Sequence, residues 1–159
     1  MYVIEKGAGS ILKRVARQGM AQLCYACGIC VGDCPAARFS DDFNPKQIFL
    51  KVGLGIANGL IEQGSPIWKC TTCYTCAERC PAGVKPVEVI IALRNLSFSK
   101  GLAPEQVNQV RQAVINLGIV SSMTDTVLKR RQEMGLPQVD AKLGDVVKGI
   151  VGEGHKDKL

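Results

Sequence analysis

The sequence is poor in the residue types that most enzymes use at an active site. It contains one histidine among 159 residues, and aromatic residues make up only 5%. That histidine, His155, lies in a polar stretch, where we expect an exposed side chain rather than a metal ligand. We find neither a Gly-rich phosphate loop nor an acid–base pair beside a nucleophile. The sequence therefore predicts no catalytic residues of its own.

Long apolar runs are also absent. No stretch approaches the roughly 20 apolar residues that a membrane-spanning helix requires. Residues 1–20 have neither the uninterrupted apolar core nor the small-residue cleavage site of a secretory signal. We therefore expect a cytoplasmic protein without a transmembrane segment.

The feature that the sequence does have is one cysteine run present twice. Each run reads C-x2-C-x2-C-x3-C-P, and the two runs use all eight cysteines. This is the ligand pattern of paired [4Fe–4S] clusters, in which the fourth cysteine of each run ligates the other cluster. The pattern predicts two [4Fe–4S] clusters and an electron-transfer role. The runs are Cys24, Cys27, Cys30, Cys34, Pro35 and Cys70, Cys73, Cys76, Cys80, Pro81.

Cross-ligation of this kind predicts the ligand set of each cluster. Because each cluster would join the two halves of the chain, we expect metal binding and folding to be coupled. The proline after each run lacks an N–H and fixes φ, which suits a sharp exit after the fourth ligand. The first cluster takes Cys24, Cys27, Cys30 and Cys80, and the second takes Cys70, Cys73, Cys76 and Cys34.

Two other uses of the cysteines compete with this interpretation. A zinc-stapled interaction module without redox activity is one, although a tetrahedral zinc site gains nothing from a third closely spaced cysteine. A disulfide framework is the other, and it requires an oxidising compartment. Colour and metal content distinguish them.

The basic charge of the chain is smaller than it first appears. The formal net charge is +6 with the cysteines counted as neutral. Each oxidised four-thiolate cluster carries about −2, which leaves about +2 in the loaded protein. We therefore expect no nucleic-acid partner and interpret the scattered lysines as a solvated surface.

Helical spacing dominates the segment between the runs. From Pro45 to Gly64 the apolar residues recur every four positions, which predicts one amphipathic helix. For the three glycines inside it, we expect close packing against a neighbour such as a cluster-bearing loop. The recurring residues are Ile48, Val52, Ile56 and Leu60, and the glycines are Gly53, Gly55 and Gly59.

The chain after the second run predicts four more helices. A strand over residues 89–91 remains open as an alternative, but no alternating strand pattern flanks either run. The sequence thus predicts an all-α fold, a helix-wrapped ferredoxin with two cluster-binding loops and additional C-terminal helices. The predicted helices run from Pro86 toward Gly101, from Pro104 to Leu117, from Thr124 to Met134 and over Asp145–Val151. The predicted divisions are an N-terminal segment (1–22), the two-cluster domain (23–101) and a helical C-terminal extension (102–159).

A family resemblance is carried by the stretch from Trp68 to Pro81 and by Tyr25 to Cys30 with the later Cys34-Pro35. These residues resemble HdrC, the iron–sulfur subunit of heterodisulfide reductase. The similarity covers roughly residues 23–101 and continues faintly to the Gly135-Leu136-Pro137 break. The cluster loops alone also look like the iron–sulfur subunits of succinate dehydrogenase and anaerobic glycerol-3-phosphate dehydrogenase.

The resemblance implies an α-helical ferredoxin fold with the cross-ligation described above. It also implies a non-catalytic relay of single electrons between two partner subunits of heterodisulfide reductase, one a flavoprotein and the other catalytic. The related complexes of sulfur-oxidising organisms fit as well as the methanogenic ones. The alternatives are a stand-alone dicluster ferredoxin and the iron–sulfur subunit of another flavin dehydrogenase.

Several residues outside the cysteine set are candidates for tuning or docking. Tyr25 and Tyr74 lie beside cysteines and Trp68 lies two residues before Cys70, where they either shield the clusters from water or simply pack in the core. Arg38 and Arg79 either offset cluster charge or are ordinary surface residues. Residues 10–18 are amphipathic, which predicts a helix that lies on its own domain or docks on a partner or an anionic membrane face.

Overall fold

The computed structural model describes residues 23–120, 123–138 and 143–151, which are helical and contain no β-strand. The fold is therefore all-α, as the sequence predicts. The amphipathic segment at residues 10–18 and His155 lie outside the described residues. The helices are α1 (Ile29–Gly32), α2 (Pro35–Phe39), α3 (Pro45–Gly53), α4 (Thr75–Glu78), α5 (Pro86–Ser99), α6 (Glu105–Leu117), α7 (Asp125–Glu133) and α8 (Leu143–Val151).

The chain divides into two compact units, one ending at Ala103 and the other beginning at Pro104. No helix within the described ranges combines the length and the apolarity that crossing a bilayer requires. Both cysteine runs belong to the first unit, so its core decides how they are placed.

The core of the first unit is formed mainly where α3 packs against α5. Two short 3-10 turns, Asn58–Leu60 and Pro66–Lys69, supply further apolar side chains. Burial of this apolar surface is the main favourable term in folding the unit. The largest fully buried apolar side chains include Phe43, Phe49, Ile67, Ile90 and Leu93.

Helix α3 begins where the sequence predicts but ends much earlier. The Asn44 side chain accepts a hydrogen bond from the Gln47 N–H at 3.0 Å, and Pro45 occupies the first helical position. The prediction of one helix up to Gly64 is wrong, because α3 ends at Gly53. The chain turns at Gly55, whose φ of +73° belongs to the left-handed region.

Apolar residues after the end of α3 are buried although the helix does not continue to them. Leu60 is buried from the 3-10 turn rather than from a helix face. The predicted close packing is also wrong at Gly55 and Gly59, since a Cβ on either would meet open space. Gly55 therefore ends the helix and does not admit a close neighbour.

Helix α5 confirms the prediction from Pro86 and rules out the strand alternative. It begins at Pro86 and ends at Ser99, and Gly101 follows with a φ of +71°. Its buried residues, which include Val87, Val89 and Leu93, lie on one side of the helix. The helix therefore lies at the centre of the first unit.

The second unit consists of α6, α7 and α8, whose positions match the predicted helices. Within this unit α6 packs against α8. Gly118 ends α6 with a φ of +72°. Gly144 of α8 is buried against α6, where a Cβ would overlap the carbonyl oxygen of Asn116. The two helices approach so closely because Gly144 has no side chain.

We expect Gly144→Ala to destabilise the full-length protein by about 1–3 kcal/mol, because the added methyl group overlaps the α6 backbone. Gly149→Ala on the same helix is the matched control, since a Cβ there meets nothing within 4 Å. We expect the control to be neutral or stabilising by about 0.5–1 kcal/mol. Denaturant unfolding followed by circular dichroism measures both. Equal effects of the two substitutions would contradict the close approach.

Candidate functional site

The two cysteine runs fold into loops with the same backbone conformation. In each loop the second and fourth residues after the first cysteine take positive φ. These are Ala26 and Gly28 in the first loop (φ 56° and 85°) and Thr72 and Tyr74 in the second (φ 55° and 62°). A four-residue helix follows in each case, α1 or α4. The sequence repeat is therefore also a structural repeat.

Each loop directs a backbone N–H at its own first cysteine. The Ala26 N–H donates to Cys24 Sγ, and the Thr72 N–H donates to Cys70 Sγ, both at 3.4 Å. The positive φ of Ala26 and of Thr72 redirects the chain that follows each of these amides. Such donors stabilise negative charge on sulfur.

Three cysteines of the first run and the last cysteine of the second run line one cavity. The space is about 370 Å³ including its open side, and apart from the thiols and Lys46 its walls are mainly apolar. Phe49 of α3 and Pro86 of α5 close it from the core. The cysteines are Cys24, Cys27, Cys30 and Cys80.

The reciprocal four cysteines line a second cavity of similar size. It measures about 310 Å³ including its open side, and Pro45 of α3 with Val87 and Ile90 of α5 close it. All eight cysteines thus fall into the two groups of four named from the sequence. Here the cysteines are Cys34, Cys70, Cys73 and Cys76.

The two cavities are built from equivalent positions of α3 and α5. The first residue of each helix is a proline that lines one cavity. The second and fifth residues of the same helix line the other cavity. The cavities differ in chemistry at the second residue, because Lys46 of α3 lines the first cavity and Val87 of α5 lines the second. The repeat is therefore symmetric in backbone and asymmetric in charge.

The thiols resist ionisation where they are crowded together. Burial raises the pKa of the Cys30 thiol to about 11, and Cys24, Cys27 and Cys80 nearby add to the rise. Burial likewise raises the pKa of Cys76 to about 11, to which Cys70, Cys30 and Cys34 contribute. Four thiolates in one apolar cavity thus need a cationic group among them.

Cys73 differs from these buried thiols. The hydroxyl and the N–H of Thr75 hydrogen-bond to it and lower its pKa below the ordinary thiol value, with a smaller contribution from the Thr71 hydroxyl. The equivalent residues in the first loop are Ile29 and Tyr25, of which the first offers no hydroxyl. The second loop therefore offers Cys73 a hydroxyl donor at Thr75 that the first loop lacks at Ile29.

The two cavities lie close to each other. The Cys30 thiol in one contributes to the pKa of Cys76 in the other. Helix α1 packs against α4, and Asp33 at the end of α1 pairs with Arg79 at the end of α4, with Nε and Oδ2 2.9 Å apart. This contact is an ion pair that lacks hydrogen-bond geometry at Oδ2. It joins equivalent positions of the two loops.

The cysteine geometry fits a cluster better than a single metal ion. Among residues 23–120, 123–138 and 143–151, no three Cys, His, Asp or Glu side chains are grouped as ligands of one ion. Four soft sulfur donors surround each cavity instead. The spacing therefore suits a group that fills the cavity, which disfavours the zinc alternative.

The other residues named from the sequence have separate places. Tyr25 and Tyr74 each line a cavity, although Tyr25 is 76% exposed and Tyr74 39%. Trp68 is half-buried and packs on the apolar core. Arg38 is exposed on α2, whereas Arg79 forms the ion pair with Asp33.

Sequence reasoning missed Arg94 and Lys69. Arg94 hydrogen-bonds to three groups of the second loop region, and burial lowers its pKa below the usual value. An arginine directly after the apolar run of residues 89–93 was the available signal. Lys69 pairs with Asp42 at 2.6 Å, and its hydrogen bond lowers the pKa of that carboxyl. This pair ties the entrance of the second loop to the segment before α3.

Comparison with known proteins agrees with this geometry. The 4Fe-4S dicluster domain family matches residues 20–84. The HdrC iron–sulfur subunit of the CoB–CoM heterodisulfide reductase of Methanopyrus kandleri is 39% identical over 74% of this chain and 60% of its own length. An HdrC iron–sulfur subunit from Methanocaldococcus jannaschii is 34% identical over 86% of this chain and 75% of the relative. The HdrC subunit of a ferredoxin/F420H2-dependent CoB–CoM heterodisulfide reductase of Methanosarcina acetivorans is 33% identical, with 88% of each chain covered.

The fold, the paired cavities and these matches define a dicluster iron–sulfur protein that holds two [4Fe–4S] clusters and relays electrons. The chain belongs to the HdrC family of heterodisulfide reductase iron–sulfur subunits. It is similar to subunits of multi-subunit complexes and spans 60% of the length of the Methanopyrus kandleri relative.

We expect Gly28→Ala to destabilise the loaded protein by about 1–2 kcal/mol, because a side chain at φ +85° is strained. Gly32→Ala in the adjacent α1 is the control, since Gly32 has no positive φ and a Cβ there meets nothing within 4 Å. Anaerobic guanidinium denaturation, followed at the cluster absorbance, measures both. If the two substitutions had the same effect, backbone strain at Gly28 would not be the cause.

Proposed function

We propose that each cluster is held by three cysteines of one loop and the fourth cysteine of the other. The observation that carries this proposal is that each cavity is lined by just such a set of four. The first set is Cys24, Cys27, Cys30 and Cys80, and the second is Cys70, Cys73, Cys76 and Cys34.

The chain residues around each set serve the relay in three ways. The inward amides of Ala26 and Thr72 stabilise charge on the sulfurs. Buried side chains such as Phe49 and Ile90 exclude water from the inner side of each cavity. The bound clusters supply one-electron carriage, and the closeness of Cys30 and Cys76 supports transfer between them within the chain.

The proposed role is that of a non-catalytic relay between a flavoprotein partner and a catalytic partner of the heterodisulfide reductase type, in a cytoplasmic complex. The names of the relatives support a complex that reduces a disulfide, and the related sulfur-oxidising complexes are the second candidate. We assign the relay to residues 23–101 and contacts to other subunits to residues 102–159. Exposed apolar residues of the second unit, among them Ile150 at 79% exposure and Met134 at 72%, support that assignment.

Pairs of Cys→Ser substitutions test the ligand sets. With cross-ligation, Cys34→Ser with Cys73→Ser removes two ligands from the same cluster, so we expect about four iron atoms per chain to remain. Cys34→Ser with Cys27→Ser removes one ligand from each cluster, so we expect both clusters to be lost or weakened. Iron, acid-labile sulfide and EPR after reduction measure the difference on anaerobically purified protein.

The two double variants discriminate because they share Cys34→Ser and differ only in the loop of the second substitution. Ligation of each cluster by one run alone predicts the reverse result. Four iron atoms in the Cys34/Cys27 variant and none in the Cys34/Cys73 variant would therefore contradict the proposed sets. Two zinc ions per chain in the unaltered protein would contradict the clusters themselves.

Purification from the native cells tests the role in a complex. We expect a tagged chain to elute in a stoichiometric assembly that contains flavin and more than about eight iron atoms per copy of this chain. Flavin absorbance, iron content and the masses of the co-purifying proteins measure this. A monomeric chain with about eight iron atoms and no flavin would instead support the stand-alone ferredoxin alternative.

A further inference from the structure

Arg94 of α5 is joined to the second loop and to the 3-10 turn before it by three hydrogen bonds. Its Nε donates to the Ile67 carbonyl oxygen at 3.0 Å, and its Nη1 donates to Thr72 Oγ1 at 3.2 Å. Its Nη2 donates to the carbonyl oxygen of Cys70. Two of these partners lie in the loop that supplies Cys70, Cys73 and Cys76.

The surroundings of Arg94 hold its charge in place. The guanidinium carbon lies 5.5 Å from the centroid of the Trp68 ring, within the range of a cation–π contact. The side chain is only partly exposed. A guanidinium with three bonds and an aromatic neighbour is fixed beside the loop, and burial strengthens its electrostatic effect there.

The first cavity has no such group at the equivalent position. Arg94 lies eight residues after Pro86, and the residue eight after Pro45 in α3 is Gly53. The cation that lines the first cavity is Lys46 instead, from a position where α5 has Val87. Each cavity therefore has its own nearby cation, but the two cations come from positions of the repeat that are not equivalent.

We propose that Arg94 is a positioning residue for the second cluster, which it serves by fixing the Cys70 loop and by raising the reduction potential of that cluster. This rests on the ligand sets proposed above. Reduction adds one negative charge to a cluster, and a fixed positive charge nearby favours the reduced state. The effect is local because the three partners of Arg94 all lie at or just before the second loop.

The test is an anaerobic potentiometric titration of the full-length loaded protein, with the two reduction steps followed by EPR. For Arg94→Gln we expect one step to shift to lower potential by about 59 mV, which is a tenfold change in the ratio of oxidised to reduced cluster. We expect the potential of the other reduction step to be unchanged. Arg94→Lys keeps the charge, and we expect its steps within about 59 mV of the unaltered protein.

Two further variants separate charge from loop geometry and identify the affected cluster. Thr72→Ala removes one partner of Arg94 but keeps its charge, and Ala26 shows that alanine occupies the equivalent backbone position. We expect a smaller shift than for Arg94→Gln. Lys46→Met removes the cation of the first cavity, so we expect it to lower the other step.

Several outcomes would overturn the role of Arg94. The first is that both reduction potentials are unchanged in Arg94→Gln, and the second is that both shift equally. The third is that Lys46→Met shifts the same reduction step that Arg94→Gln shifts. If Arg94→Gln does not bind its clusters, a shift of more than about 59 mV in either reduction step of Arg94→Lys also overturns the proposed role. Iron content tests the proposed function separately. About eight iron atoms per chain with unchanged reduction potentials would contradict the role of Arg94 but not the electron relay.

Discussion

The structure depends on bringing eight thiols together in two crowded groups of four. Thiols such as those of Cys30 and Cys76 resist ionisation there because burial and neighbouring sulfurs both raise the energy of the thiolate. Bound iron would offset this penalty, and we therefore expect the arrangement to be stable only with the clusters in place. The apolar core between α3 and α5 presents both loops, and each group draws its fourth thiol from the distant run. Folding, cofactor binding and the closeness of the two clusters are therefore consequences of one arrangement.

The backbone repeat shows how the chain places two cofactors with few residues. Each loop takes positive φ at two positions, and only Gly28 among the four is glycine. Ala26, Thr72 and Tyr74 accept the strain because the surrounding loop and helix fix them. Strain of this kind is found at sites where geometry matters more than local stability.

Much of this was readable from the sequence. The cysteine spacing predicted the two groups, and the prolines and glycines marked the starts of α5 and α6 and the end of α6. The length of α3 was not readable, because Ile56 and Leu60 keep a helical period although Gly55 turns the chain. Periodicity reports burial, and a 3-10 turn buries Leu60 as well as a helix would. The contacts of Arg94 were not readable, because two of its three partners are carbonyl oxygens, which leave no mark in a sequence.

The internal repeat has a consequence for the kind of assembly that can carry electrons in one direction. Two identical half-length chains, each with one run, would satisfy the same cross-ligation as a two-fold symmetric dimer. Symmetry would then make the two cofactors energetically identical, with no difference between an entry and an exit. In one polypeptide that contains both halves, equivalent positions can carry different residues, as Lys46 and Val87 do and as Gly53 and Arg94 do. Covalent linkage of the halves therefore permits the sequence divergence that gives the two cluster sites different surroundings.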